Sequence, residues 1–304
     1  MSALADAAVS YLQVRRALGY RLERHGQLLA GFVAYLDEHG LDTVTAQAAL
    51  AWACEPADAG PDRWSRRLGI ARRFAAYMVA IDPATEVPPT RLWPQRRRPE
   101  PFVCSPAQIE ALVAAAGVGA SPVVATYQTV IGLLAVTGMR VGEALGLNDD
   151  DVDLDTGVLT VHSTKFGKSR EVPLAPSTTQ ELIGYIAVRD YCFGPRADTA
   201  LFTSATGQRL RSNRLWRHWQ NAINRAGVVD LGRRPRLHDL RHSFAVNTLR
   251  AWHDADLDVE ARLPLLSAYL GHLNPASTYW YLTATPDLLA AAARRLEAST
   301  KATP

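Results

Sequence analysis

Val158-Leu159-Thr160-Val161-His162-Ser163-Thr164-Lys165-Phe166-Gly167-Lys168-Ser169-Arg170-Glu171-Val172-Pro173-Leu174 is the passage that sets the fold class. Two short β-prone runs, Val158 to His162 and Arg170 to Leu174, flank the loop Thr164 to Lys168, and that pattern predicts a β-hairpin. Nearly everything around it carries helical periodicity. Downstream, helices are expected near 177–188, 212–226, 236–252, 260–270, 275–282 and 286–297. Upstream, an apolar helix runs from about Val123 to Val136, and the aspartate-rich stretch Asn148 to Asp155 reads as a polar turn. The class is α+β: mainly α, with a small β-sheet or hairpin inside the C-terminal domain.

Working back from the hairpin, Ser105-Pro106-Ala107-Gln108 has the form of a helix start, with a capping serine, proline at the first helical position and glutamine three residues past the cap. The preceding stretch, 83–101, holds six prolines and the run Arg96, Arg97, Arg98, so it cannot be regular helix and reads as an interdomain connection. From Leu4 to about Ile81 the pattern is helical again, as in Leu28, Leu29, Phe32, Val33, Tyr35 and Leu36, a helix closed by Gly40. A helix starting near Pro61 carries Arg63, Arg66, Arg67 and Arg73 within an arc of about 120°, with Arg72 opposite. Such a stripe is ordinarily a solvated face and becomes a DNA-contact candidate only if DNA binding is indicated elsewhere. The predicted division is a helical domain over 1–90, a proline- and arginine-rich linker over 91–101 and a second domain over 102–300, which 304 residues with 48% hydrophobic content can sustain.

Bulk charge does not identify a partner, because the net charge is only +3. Cys54, Cys104 and Cys192 are odd in number and widely spaced, which suggests neither a disulfide framework nor a thiolate metal site. With no secretory leader pattern and no apolar run of membrane-spanning length, the expectation is a cytoplasmic protein with no membrane association. More pointed is the imbalance among the 33 basic residues: only Lys165, Lys168 and Lys301 are lysines, and two of them share the hairpin loop.

Four segments hold residues suited to an anion or a proton. Arg140 and Glu143 lie three apart, so a helix starting near Arg140 sets them on one face; this is the ordinary form of an intrahelical ion pair, and also a way to hold a guanidinium fork toward a phosphate. His238 and Arg241 are likewise aligned, either as a surface basic cluster or as two donors to one anion. His238 and His242 also match the histidine spacing of a zinc helix, but Asp239 stands at the glutamate position and Arg241 would set a fixed charge beside the metal. Lys165 can release a proton, which arginine cannot, whereas Lys168 reads first as a surface residue. Finally, Leu270-Gly271-His272 precedes Tyr279-Trp280-Tyr281; a phenol can attack phosphorus covalently, though an aromatic trio alone reads as packing.

In order, an arginine with its glutamate, a hairpin lysine, H-x-x-R, L-G-H and a tyrosine nine residues after that histidine make the chain resemble the tyrosine recombinase, or phage integrase, family from about Pro101 to Ala298. The L-G-H-L-N-P-x-S-T-x-x-Y segment and the following L-T-A-T-P are most similar to its transposon-encoded and recombinase-in-trio branch. The resemblance implies an N-terminal core-binding domain and a catalytic integrase domain. It also implies that Arg140, His238, Arg241 and His272 surround a scissile phosphate, that Lys165 protonates the leaving 5′ oxygen, and that Tyr281 attacks to leave a 3′-phosphotyrosyl bond. Spacing from His272 favours Tyr281 over Tyr279. Glu143 would brace its arginine. Neither metal nor any other cofactor is implied. The implied partner is double-stranded DNA, met by Arg63, Arg66, Arg67, Arg73, Arg96, Arg97, Arg98 and Lys168, with a homotetramer on paired sites, with or without partner recombinases, and the helix at 286–297 suited to docking on a neighbour. A type IB topoisomerase, a non-catalytic DNA-binding regulator and a zinc hydrolase using His238 and His242 are the competing activities. One departure from the family pattern is the long acidic segment Ala251 to Leu266, with Asp254, Asp256, Asp258 and Glu260.

Overall fold

The computed structural model describes residues 2–20, 22–94, 101–119, 121–162, 169–194, 198–230, 232–272, 274 and 276–283. The chain forms two compact units, Met1–Pro99 and Glu100–Pro304.

In the first unit, α1 (Ala3–Ala17), α2 (Glu23–Glu38), α3 (Ala46–Cys54) and α4 (Pro61–Met78) enclose Leu29, Phe32, Leu36, Trp52 and Phe74. The helix ends follow local chemistry. Ser2 and Thr45 accept backbone N–H bonds as N-caps of α1 and α3, and α4 opens on a proline whose missing N–H would have had no helical partner. Gly40 adopts φ +63° just past the end of α2, where a side chain would be strained.

The second unit begins with α5 (Pro106–Ala116). Ser105 Oγ accepts from Gln108 N at 3.2 Å while Gln108 Oε1 accepts from Ser105 N at 2.9 Å, so two otherwise unpaired donors are satisfied reciprocally. The apolar helix α6 (Val123–Thr137) lies at the centre, packed on α5 and on two later helices, α8 (Pro176–Phe193) and α10 (Leu237–Asp254). Between them come the short α7 (Val141–Gly146) and a three-stranded antiparallel sheet of β1 (Val152–Asp153), β2 (Val158–Val161) and β3 (Arg170–Pro173), in the order β1-β2-β3. The β2-β3 register pairs Val158 with Pro173 and Val161 with Arg170.

One strand was not foreseen. Within the stretch read as a polar turn, a 3₁₀ turn over Asp149–Asp151 leads into β1, where Val152 pairs with Leu159, before Asp153 Oδ1 accepts from the backbone of Asp155 and Thr156 and reverses the chain. Two residues are too few to display strand alternation, and the flanking aspartates mask them.

Beyond α9 (Ser212–Ala226), the second half of α10 packs with α11 (Val259–Leu270) and α12 (Ala276–Thr283) around Leu249, Leu263, Leu266 and Leu270, a cluster that also contains Tyr281. The acidic segment between α10 and α11 has a structural use: Asp258 Oδ1 accepts from Ala261 N as the α11 N-cap, and Glu260 follows in the first turn, where the helix dipole favours negative charge. The helix expected at 286–297 lies outside the described residues. Among the described residues no helix is long and apolar enough to cross a membrane.

Gly138 closes α6 at φ +60°, and a Cβ there would lie 2.5 Å from the Phe244 ring. Gly138→Ala is expected to lower the unfolding free energy by about 2–4 kcal/mol, from left-handed backbone strain plus overpacking. Urea unfolding of the full chain checks this, with an equivalent alanine at Gly31, where a Cβ meets nothing, as the control.

Candidate active site

The C-terminus of α11 organises the site. The last carbonyls of a helix have no partner within it and carry the negative end of its dipole. Here three consecutive ones each accept a hydrogen bond from a different arginine: Tyr269 O from Arg170 Nε at 3.0 Å, Leu270 O from Arg241 Nη2 at 2.8 Å and Gly271 O from Arg140 Nη2 at 3.1 Å. Gly271, at φ +68°, ends the helix and lets Arg170 approach; a Cβ would sit 2.8 Å from its Nη1. The Leu-Gly-His sequence is thus a helix terminus shaped to receive guanidinium groups.

Each arginine arrives from a different element. Arg140 is the N-cap residue of α7 in extended conformation, so it precedes the helix and does not share a helical face with Glu143. Their link is a cap: Glu143 Oε2 accepts from Arg140 N at 2.9 Å and Oε1 from Arg140 Nη1 at 2.6 Å. Arg170 opens β3 and makes a bidentate pair with the same carboxylate, at 3.1 and 2.7 Å. Arg241, on α10, donates its other branch to Gly138 O at 2.8 Å and is buried. Three fixed cations around one carboxylate leave a positive excess, and burial with Arg140 nearby lowers the Arg241 pKa to about 10. Burial alone would raise Glu143, but the hydrogen bonds from Arg170 and Arg140 hold it at about 2.

The histidines sit in this field. Burial, followed by Arg241, Arg140 and Arg170, lowers His272 to about 4, and its Nδ1 lies 2.7 Å from Thr278 Oγ1. His238 is lowered by loss of surrounding water and by Arg241. On α12 the two tyrosines point apart: Tyr279 is 48% exposed, whereas Tyr281 is 2% exposed, with its ring 6.1 Å from that of His272 and its hydroxyl 3.1 Å from His242 Nδ1.

Arg140, Glu143, His238, Arg241, His272 and Tyr281 therefore come from four helices and their ends into one neighbourhood. Lys165, Lys168, Arg96, Arg97 and Arg98 lie outside the described residues. In the first unit, Arg63, Arg66 and Arg73 are exposed on α4. Arg67 departs from that stripe: it stacks 3.9 Å over the Trp52 ring and donates to Trp52 O and Glu55, because the end of α3 offers a carbonyl and an aromatic face. His242, weighed as a zinc partner of His238, instead meets Tyr281, and among the described residues no group of His, Cys, Asp and Glu side chains is gathered for a metal. Arg170 is the residue that sequence reasoning missed, and His242 is one that it weighed for zinc and not beside Tyr281. A signal for Arg170 existed: alternation in β3 puts it on the inward face with Val172, and an inward charge demands a partner.

A mainly helical unit with a small antiparallel sheet thus brings arginines, histidines and a buried tyrosine into one neighbourhood. Residues 103–287 match the model of the phage integrase family, and the chain belongs to that family of tyrosine recombinase enzymes. It is 42% identical to y4rB of Sinorhizobium fredii, named as an integrase/recombinase, over 98% of each chain. It is 32% identical to the tyrosine recombinase XerD of Ralstonia nicotianae, over 71% of this chain and 67% of that one. Among solved structures, the Tn1549 transposon integrase in complex with transposon right-end DNA shares the fold with a TM-score of 0.67 at 18% identity, covering 98% of this chain and 100% of that one.

Because Glu143 titrates lower in the folded protein than when unfolded, its stabilising effect is present above the ordinary carboxylate pKa of 4.5 and is lost as pH falls toward about 2. Glu143→Gln is expected to be less stable than the parent at pH 7, with the gap narrowing below pH 4.5; chemical denaturation at a series of pH values checks it.

Proposed function

We propose that this chain is a site-specific DNA recombinase that cleaves and rejoins double-stranded DNA through a 3′-phosphotyrosyl intermediate at Tyr281, in the integration or excision of a mobile element. The observation that carries the reading is the set of three arginines on the end of α11, with the Tyr281 phenol close enough to Arg241 to interact with its charge. Of these, Arg140 is the one with substantial exposure, its side chain 40% accessible, and it can turn its free N–H groups to a phosphate. Arg241, buried and held from two sides, is preorganised to stabilise charge developing on the non-bridging oxygens, with His238 and His272 as further donors. Lys165 supplies the proton for the leaving 5′ oxygen. Energy of the broken phosphodiester is kept in the phosphotyrosyl bond, so rejoining needs no ATP.

The mobile-element role draws on the resemblance to an integrase of a transposon. Four copies on paired sites, in the cytoplasm, complete the reading, with Arg63, Arg66 and Arg73 of α4, the linker arginines Arg96 to Arg98 and Lys168 against the DNA backbone.

Two experiments test it. With a nicked suicide substrate made from DNA flanking its gene, Tyr281→Phe should bind DNA yet yield no covalent adduct on denaturing gels, while Tyr279→Phe still yields one; the reverse pattern transfers the role to Tyr279. Arg66→Ala combined with Arg73→Ala should weaken binding to all sequences alike and flatten the plot of log affinity against log salt by about 2, which a titration between 50 and 200 mM salt would read.

A further inference from the structure

Tyr281 carries its hydroxyl in the interior of the second unit, with the residue 2% exposed. A phenol shielded from solvent cannot hand its proton to bulk water, so when its oxygen bonds to another atom a neighbouring side chain must take that proton. Three histidines stand near it, and their geometry distinguishes them. His272 lies with its ring parallel to that of Tyr281 and its Nδ1 engaged with Thr278 Oγ1, and burial with three arginines makes it a poor base. His238 meets the ring of His242 edge-on at 4.7 Å, one ring removed from the phenol. His242 has its Nδ1 3.1 Å from Tyr281 Oη, within the reach required for direct transfer. Its ring is held by packing: it is buried on α10, with Trp280 at 5.6 Å and Tyr281 at 5.5 Å from the facing helix α12 and His238 one turn back on its own.

Resting on the function proposed above, we infer that His242 is the general base that takes the Tyr281 proton. The Oη–H bond breaks and its proton moves to Nδ1; the Oη–P bond forms as the P–O5′ bond breaks; the 5′ oxygen receives its proton from the separate acid, Lys165. On rejoining, the 5′ hydroxyl returns its proton to Lys165 as its oxygen bonds to phosphorus and the Oη–P bond breaks, and the departing phenolate recovers its proton from His242. The helical spacing that suggested a zinc pair thus serves to set His238 edge-on against the base. Arg241, adjacent in sequence and buried near Tyr281, favours the phenolate as it forms.

The test compares three variants by single-turnover adduct formation on the suicide substrate, with DNA affinity measured on the same samples to report an intact fold. Asparagine can keep a polar atom near the Nδ1 position but cannot accept the proton. His242→Asn and His242→Ala are both expected to form adduct about 100-fold more slowly, within the range of general-base contributions, with affinity unchanged. A second readout uses DNA with sulfur in place of the 5′ bridging oxygen, a leaving group that needs no acid. It should restore Lys165→Ala and leave both His242 variants slow. Near-parental rates in His242→Asn would reduce His242 to a positioning role, faster rates in His242→Ala would make it a latch on the nucleophile, and rescue of the His242 variants by the sulfur substrate would move it to the acid side; each overturns the inference. Loss of adduct in the parent chain, or its persistence in Tyr281→Phe, would instead strike the function proposed above.

Discussion

The candidate site depends on how one helix ends. At the C-terminus of α11 the carbonyls of Tyr269, Leu270 and Gly271 have no partners of their own, and each takes one guanidinium N–H. Like charges brought this close repel, so the arrangement needs a counterweight. The α11 dipole supplies part of it, and Glu143, accepting from both Arg140 and Arg170, supplies another part. Compensation stays incomplete: the lowered pKa values of Arg241 and His272 record a surplus of positive field together with burial. An oxyanion is what such a surplus is suited to receive.

That construction explains features that otherwise look unrelated. Glycine at 271 is needed for the left-handed turn and for room beside Arg170; glycine at 138 is needed to bring α6 against Phe244 and to turn its carbonyl toward Arg241. Arg170 joins the first strand residue after the hairpin loop to both Glu143 and the end of α11, so the sheet, α7 and α11 are held through one side chain. The nucleophile candidate is positioned by different means, through apolar packing among α10, α11 and α12.

Much of the fold was legible because its signals are local. Ser105, Pro106 and Gln108 announce the start of α5, the phase of Leu29, Phe32, Val33 and Leu36 defines the buried face of α2, and the runs at 158 and 170 mark two strands. Strand β1 escaped because two residues carry no period. Arg67 was grouped by helical angle with Arg63, Arg66 and Arg73, but angle says nothing of what lies opposite, and the Trp52 ring and carbonyl draw it inward.

By itself the sequence determined which residue types are present and in what order: an arginine beside a glutamate, a lysine in a hairpin loop, H-x-x-R, L-G-H and a terminal tyrosine. That order was enough to indicate the family, because Arg140 and H-x-x-R mark helix starts and L-G-H a helix end, and those are decided by neighbours a few residues away. Only the tertiary structure decided that Arg170 shares Glu143 with Arg140, that three arginines converge on one helix terminus, and that His242 faces Tyr281. Those partners lie 27 to 131 residues apart, and charge pairing and burial act through space, so no spacing along the chain could reveal them.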